Sequence, residues 1–180
     1  MNASALLVID IQRGAFDGAR CPTIDRAAEL VSHAGALVAA ARASQVPVIF
    51  VQHLDAAGEP FEKDSPHGEF HDSLRPLPGE AVVRKLASSA FDGTDLGATL
   101  QRLGARQLLV CGLQSEFCVS NTTQSALALG YAVQVAQDGH STWPSQGRSS
   151  QEISAAVNAD LLALGATVAP SASLVAAMRA

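Results

Sequence analysis

Short runs of consecutive apolar residues recur along the chain. Each run is brief for a helix, and the first two are rich in branched residues, which is typical of strands buried on both faces of a sheet. The predicted strands lie at residues 5–11, 46–51, 81–83, 107–111, 131–136 and 166–168.

Between these runs, apolar residues recur every three or four positions, which is the pattern of an amphipathic helix. Thr23 is the expected N-cap of the first helix, at residues 24–43. Ser149 and Glu152 have the spacing of a capping box at the start of the fourth helix. The other predicted helices follow Thr94, begin near residues 115–117 and follow Ser171.

Strands that alternate with helices favour a parallel sheet with helices on both faces. We therefore predict an α/β fold, a three-layer α/β/α sandwich with a mainly parallel, Rossmann-like sheet. No linker, internal repeat or low-complexity tract divides the sequence, so residues 1–180 are expected to form one domain. Residues 55–79 lack periodicity and predict a long loop, which in a compact domain is usually functional or mobile.

Composition narrows the classes of function. Hydrophobic residues make up 48% of the chain and charged residues 16%, which supports a substantial core and excludes disorder of the whole chain. The formal net charge is −5. This charge argues against a surface that binds nucleic acids or anionic membranes, because both bind clustered positive charge. No apolar stretch approaches the ~20 residues that span a bilayer, and no signal peptide is evident. We expect a cytoplasmic protein that binds neither nucleic acid nor membranes.

Three reactive side chains are expected to meet at one edge of the sheet. Asp10 ends the first predicted strand, Lys85 follows the third, and Cys118 follows the fourth. Ligands of open parallel sheets bind beyond the carboxyl ends of the strands, which selects these positions. Each residue also has a structural alternative: a loop cap or metal ligand, a solvated surface lysine, and an inert core cysteine. Cys111 is expected in the core, and Cys21 has no assigned role.

Together the three residues suggest a catalytic mechanism. A thiol with an ordinary pKa near ~8.5 is mostly protonated at neutral pH, although the first turn of a helix stabilises a thiolate. Asp10 would accept the proton of Cys118, while Lys85 would stabilise the thiolate and keep Asp10 ionised. Cys118 would then attack a carbonyl carbon, with backbone N–H groups of residues 112–118 binding the oxyanion.

Three segments of the sequence resemble a known family. They are ALLVIDIQ around Asp10, VVRKLASSAFDGTDL around Lys85, and CGLQSEFCVSNTTQSALALGY around Cys118. In this order and strand context they resemble the isochorismatase-like cysteine hydrolases, which include nicotinamidases and carbamoylsarcosine amidases. The GLQSEFCV and DGHSTW segments resemble a subgroup of largely unassigned cysteine hydrolases, to which streptothricin hydrolase is also similar.

The resemblance implies roles for these residues. Cys118 is the nucleophile and forms a thioester while an amine leaves, and Asp10 is its acid–base partner, with Lys85 completing the triad. A cis Leu113–Gln114 peptide bond is also implied, so that the N–H groups of Gln114 and Cys118 bind the oxyanion. Because the family is commonly oligomeric, a homo-oligomer is expected, either a dimer or a tetramer.

The nicotinamidases of the family bind a metal through an Asp-x-His pair after the second strand. Gln52, His53 and Asp55 do not reproduce that spacing, which argues against nicotinamidase activity. His67 and His71 are four residues apart but lie in loop-like sequence, so we do not expect them to bind a metal. No metal and no cofactor are predicted.

Five further residues are candidates to contact the substrate. Phe16 matches a frequent aromatic position of the family, with a loop anchor as the alternative, and His53 ends the second strand, with simple exposure as the alternative. Glu116 would orient a substrate amine or serve as a first-turn helix charge. His140 and Trp143 lie in the predicted loop after the fifth strand, where Trp143 would close the pocket or form an oligomer contact.

The sequence therefore predicts a cysteine hydrolase that cleaves an amide or lactam C–N bond of a small molecule through a thioester. An isochorismatase that cleaves a vinyl ether is the alternative enzyme, although the presence of Cys118 favours covalent catalysis. A non-catalytic α/β binding module is the alternative of another class. A receiver-like module would need an acidic pair beside Asp10, and neither GxGxxG nor GxxxxGKS/T occurs in the sequence.

Overall fold

The computed structural model describes residues 3–179 as a six-stranded parallel sheet with helices on both faces. The strands are β1 (Ala3–Ile9), β2 (Val48–His53), β3 (Ala81–Lys85), β4 (Ala105–Leu113), β5 (Ala132–Ser141) and β6 (Thr167–Ala169). The helices are α1 (Ala27–Ala43), α2 (Leu96–Arg102), α3 (Ser120–Ala128), α4 (Ser150–Ala163) and α5 (Ser171–Arg179), and a π-helical turn, Ser115–Val119, precedes α3. Within the described residues, no helix combines the length and hydrophobicity needed to cross a membrane.

The central strand β1 shows why the sheet has two covered faces. Leu7 and Ile9 pack on one face with residues of α2, α3 and α4. Leu6 and Val8 point to the other face and pack with residues of α1 and α5. All four side chains are at most 1% exposed. The predicted three-layer α/β/α sandwich with a parallel sheet is confirmed.

The first helix begins later than predicted. α1 begins at Ala27 instead of residue 24, because Arg26 adopts a left-handed backbone conformation with φ of 52° that an α-helix cannot include. The prediction that Thr23 is its N-cap is wrong, since the Thr23 hydroxyl instead donates to the carbonyl oxygen of Phe16 at 3.4 Å.

The fifth strand is longer than its apolar run. β5 continues to Ser141, past the polar residues 137–139 that suggested an end at residue 136. After an irregularity in register between Val110 and Gly112, β4 provides further backbone partners, and Gly112 pairs with His140. The prediction that His140 lies in a loop is therefore wrong.

The strand order is β3-β2-β1-β4-β5-β6. The chain thus adds strands first on one side of β1 and then on its other side, next to β4. Such a switch point leaves a crevice at the carboxyl ends of the strands. Asp10 follows β1 with φ of 52°, and its N–H donates to the carbonyl oxygen of Val51 at 3.0 Å. Gly112 has φ of 133°, and a Cβ atom there would lie 2.0 Å from the carbonyl oxygen of Ile9. Glycine thus allows β4 to approach β1 closely beside the crevice.

The predicted capping box at the start of α4 is confirmed and gives a test of local stability. Ser149 Oγ accepts from the N–H of Glu152 at 3.2 Å, and Glu152 Oε2 accepts from the N–H of Ser149 at 2.8 Å. Ser149→Ala removes one cap, so we expect the free energy of unfolding to fall by about 1 kcal/mol. Urea denaturation measures this loss. Ser145→Ala, at an exposed residue nearby, is the control and should change stability by less than about 0.5 kcal/mol.

Candidate active site

The carboxylate of Asp10 and the ammonium of Lys85 form an ion pair inside the protein. Lys85 is the last residue of β3, and its Nζ lies 2.7 Å from Asp10 Oδ2. The two side chains are 1% and 0% exposed. Burial raises the pKa of Asp10 above its ordinary value, although the neighbouring ammonium opposes the shift. Burial opposes the charge of Lys85, but Asp10 and Cys118 raise its pKa overall.

The three protons of the Lys85 ammonium have three other acceptors. Nζ donates to His53 Nδ1 at 2.9 Å, to the carbonyl oxygen of Ala87 at 3.2 Å and to Cys118 Sγ at 3.1 Å. Neither carboxylate oxygen of Asp10 accepts a well-aligned hydrogen bond from the described residues. The Asp10 oxygens therefore remain available to accept a proton from the thiol.

Cys118 lies in the π-helical turn between β4 and α3, after a Leu113–Gln114 peptide bond that is cis. Burial raises the pKa of the Cys118 thiol to about 11, and the negative charge of Asp10 adds to this effect, while Lys85 opposes it. The resting side chain is therefore a thiol at neutral pH. A base is needed to make it nucleophilic, and the Asp10 carboxylate has an oxygen within 4.8 Å of the sulfur.

A second hydrogen-bonded pair, His53 and Asp55, lies next to the ammonium. Because Lys85 has only protons to offer, His53 Nδ1 must accept, so the ring proton is on Nε2. Nε2 in turn donates to Asp55 Oδ1 at 3.0 Å. The chain Asp55–His53–Lys85 fixes the tautomer of the imidazole and the position of Nζ.

Gln12 holds the ends of β1 and β2 together and was not recognised in the sequence. It is 0% exposed, its Oε1 accepts from the N–H of His53 at 2.8 Å, and its Nε2 donates to the carbonyl oxygens of His53 and Gly68. A glutamine two residues after Asp10, inside the ALLVIDIQ segment, was the available signal. Gln12 positions His53 without facing the cavity.

A cavity of about 380 Å³ opens above these residues. Its polar lining is Asp10, His53, Asp55, Ser88, Gln114 and Cys118. Its remaining wall consists of Cys21, Pro60, Phe61, Phe117 and Trp143. Pro60 and Phe61 belong to the loop between β2 and β3, which the sequence predicted to be functional or mobile.

Two of the five candidates for substrate contact line the cavity, and the other three do not. His53 and Trp143 line the cavity, and Trp143 Nε1 donates to the carbonyl oxygen of Pro22 at 2.6 Å. Phe16 does not line it but packs with buried residues and against the ring of His71 at 4.7 Å. Phe16 thus has the position of a loop anchor, the alternative expected for it.

His140 and Glu116 also lie outside the cavity lining. His140 is 0% exposed, and its ring contacts Ser115 Oγ at 2.7 Å and Asn158 Oδ1 at 2.9 Å. Burial lowers its pKa, so the ring is neutral and supports the turn that carries Cys118. Glu116 Oε1 accepts from the Thr142 hydroxyl at 2.9 Å. Neither residue lines the cavity, so neither is placed to contact a substrate there.

Donor atoms of Asp10, His53 and Cys118 lie within 4.8 Å of one another, which is a spacing suitable for a metal ion. The ammonium of Lys85, however, contacts all three of these side chains, so this donor set already surrounds a cation. His67 and His71 do not converge: His67 Nδ1 lies 2.5 Å from Asp17 Oδ2, and His71 packs on Phe16. The prediction that no metal binds stays a prediction.

Comparisons with known proteins identify the family. The isochorismatase domain model matches residues 4–172. Streptothricin hydrolase of Streptomyces noursei is 39% identical over 142 residues, which are 77% of this chain but only 50% of that protein, so the chain spans about half its length. Ureidoacrylate amidohydrolase RutB of Variovorax paradoxus is 25% identical, covering 75% of this chain and 67% of the relative.

Among solved structures, an isochorismatase from Pseudomonas putida superposes with a TM-score of 0.86 at 34% identity. The match covers 95% of this chain and 89% of that one. The resemblance inferred from the three sequence segments is confirmed. The chain belongs to the isochorismatase family.

Proposed function

We propose that the chain is a cysteine hydrolase that cleaves an amide or lactam C–N bond through a thioester on Cys118. The observation that carries this proposal is the contact of Lys85 Nζ with both Asp10, at 2.7 Å, and Cys118, at 3.1 Å, beside a cavity. The printed functions of two relatives, a streptothricin hydrolase and a ureidoacrylate amidohydrolase, support the same class of reaction.

In the first half of the reaction, the Cys118 thiol transfers its proton to Asp10 as the sulfur attacks the carbonyl carbon. Gln114 and Cys118 both line the cavity, and their backbone N–H groups would bind the resulting oxyanion. When the tetrahedral intermediate collapses, the C–N bond breaks and the nitrogen takes the proton from Asp10. An amine leaves, and the acyl group remains on sulfur as a thioester.

In the second half, Asp10 accepts a proton from water, and the oxygen attacks the thioester. The C–S bond breaks, the acid is released, and the proton returns from Asp10 to sulfur. Lys85 remains an ammonium throughout, since its pKa is raised and its protons are held by three acceptors. Its charge limits the cost of burying Asp10 and stabilises the sulfur anion as it forms.

The pH dependence of alkylation of Cys118 by iodoacetamide tests the proton transfer. In the parent, the thiol reacts as Asp10 removes its proton, so the rate should rise as Asp10 ionises and then stay level over the range above the raised pKa of Asp10. In Asp10→Asn only the preformed thiolate reacts, so the rate should rise roughly tenfold per pH unit without a plateau. Quenched mass spectrometry of the Cys118 peptide measures both profiles.

Profiles of the same shape in both proteins would contradict the assignment of Asp10 as the base. Glu116→Gln is the matched control, because this carboxylate belongs to the same turn as Cys118 but lies outside the cavity lining. It should leave the plateau of the parent in place.

We also propose, from the properties of the family, that the chain forms a homo-oligomer in the cytoplasm. Leu86 and Phe117, which neighbour Lys85 and Cys118 in sequence, are 79% and 52% exposed. Phe117 also lines the cavity, and exposed apolar side chains that form a contiguous patch are typical of surfaces that another molecule covers.

A further inference from the structure

The charges that line the cavity do not cancel. Asp10 is paired with Lys85, and Cys118 is a neutral thiol. His53 is neutral as well, because its Nδ1 accepts a hydrogen bond from the Lys85 ammonium and its Nε2 carries the one ring hydrogen. The carboxylate of Asp55 remains, so the described groups around the cavity sum to one negative charge.

No cationic side chain among the residues that line the cavity offsets this charge. None of the lining residues is an arginine or a lysine. Arg20 directly precedes the lining residue Cys21 in sequence. Its guanidinium forms an ion pair with Glu62 and donates to the carbonyl oxygen of Glu59 at 2.7 Å. Lys63, in the same loop as Pro60, lies 3.9 Å from Asp64 and does not line this cavity.

Asp55 is held in place by two hydrogen bonds. Oδ1 accepts from His53 Nε2 at 3.0 Å, and Oδ2 accepts from the N–H of Phe61 at 3.0 Å. Both donors are neutral, so they fix the orientation of the carboxylate but bring no positive charge next to it. Its side chain is 23% exposed and faces the cavity together with the rings of Phe61, Phe117 and Trp143. The faces of aromatic rings attract cations and repel anions.

We infer that the cavity selects neutral or cationic amides with an apolar portion and rejects carboxylates, with Asp55 as the residue that determines this selectivity. The inference rests on the proposed function and narrows its substrate class. An anionic group would enter a partly desolvated space next to an uncompensated carboxylate, whereas a cationic group would gain the attraction of Asp55 and of the aromatic wall. Acrylates, and isochorismate with its carboxylates, would therefore be poor substrates.

Charged thiol reagents test this selectivity without knowledge of the substrate. The full chain carrying Cys21→Ser, which leaves Cys118 as the one cavity thiol, is treated with trimethylammonioethyl, sulfonatoethyl and uncharged methyl methanethiosulfonate. In each case the Cys118 sulfur attacks the reagent, a disulfide forms and methanesulfinate leaves. Rates are divided by those of 2-mercaptoethanol, so that the intrinsic reactivities cancel.

The cationic reagent should react at least about tenfold faster than the anionic one after this correction. Asp55→Asn should reduce the ratio at least about fivefold, and ~1 M salt should reduce it in the parent, because the Debye length falls to ~3 Å. Asp160→Asn removes an equal charge from an exposed position in α4 and should leave the ratio unchanged. A ratio near one, or a ratio that Asp55→Asn does not change, would overturn the inference.

A second measurement keeps the inference separate from the proposed nucleophile. Trp143 is the only tryptophan of the chain and lines the cavity, so its fluorescence reports occupancy. Benzamidinium, benzamide and benzoate have nearly the same shape and differ in charge. In Cys118→Ala, benzamidinium should bind at least about tenfold more tightly than benzoate, and Asp55→Asn should remove most of this difference. Equal affinities, or no binding of any of the three, would refute the selectivity. A Cys118 inert to the uncharged reagent would instead refute the proposed function.

Discussion

Lys85→Met is expected to abolish amide hydrolysis and to lower the free energy of unfolding by about 3–5 kcal/mol. Methionine is unbranched and nearly as long as lysine, but it leaves the carboxylate of Asp10, 1% exposed, without its only cationic contact among the described residues. An uncompensated buried charge is among the most destabilising changes that a single substitution can make. Chemical denaturation, together with an ammonia-release assay on a panel of amides and lactams, measures both effects.

The double variant Asp10→Asn with Lys85→Met separates the charge from the packing. Removing both charges should return the stability to within about 2 kcal/mol of the parent, yet the activity should remain absent because the base is gone. Because protonation of Asp10 removes the buried charge, the stability deficit of Lys85→Met should shrink as the pH falls. Additive losses in the double variant would contradict the ion-pair interpretation.

Cys118→Ala is expected to lower kcat/KM for amide hydrolysis by at least about 10³-fold, while the free energy of unfolding stays within about 1 kcal/mol of the parent. Sulfur is the atom that attacks the carbonyl in the proposed mechanism, and no other described thiol contacts Lys85. The assay is the same amide and lactam panel, with circular dichroism to verify the fold.

Cys111→Ala is the matched control for this substitution. Cys111 is 0% exposed inside β4, and burial raises its pKa to about 12, so its thiol is inert. The variant should lose a little stability but retain the activity. Turnover of isochorismate by Cys118→Ala at the rate of the parent would instead favour vinyl ether hydrolysis without a covalent intermediate.

The sequence predicts the layered fold and the meeting of three site residues for one physical reason. Buried parallel strands are short apolar runs, and their carboxyl ends converge on one edge of the sheet. Asp10, Lys85 and Cys118 could therefore be placed together without coordinates, because Asp10 and Lys85 lie at the ends of such runs and Cys118 lies in the turn that follows another. The capping box of α4 is equally local, since Ser149 and Glu152 satisfy each other within one turn.

Features that depend on tertiary contacts could not be predicted in this way. The extension of β5 depends on backbone partners in β4, which the polar residues 137–139 do not reveal. Likewise, the sequence does not reveal that His53 connects Asp55 to Lys85. This connection depends on the hydrogen bond that Lys85 donates to Nδ1 of the ring. Cys21 was given no role in the sequence, yet the loop after β1 brings it into the cavity wall.

Covalent capture of the acyl group shows whether Cys118 forms a thioester during the reaction. The chain is mixed with the best amide of the panel, quenched in acid within one turnover and examined by intact-protein mass spectrometry. If the thioester forms, the mass increases by the acyl portion, and this adduct is located on the Cys118 peptide, released by hydroxylamine and absent in Cys118→Ala. Product formation with no adduct on Cys118, at a rate that Cys118→Ala matches, would contradict the thioester mechanism.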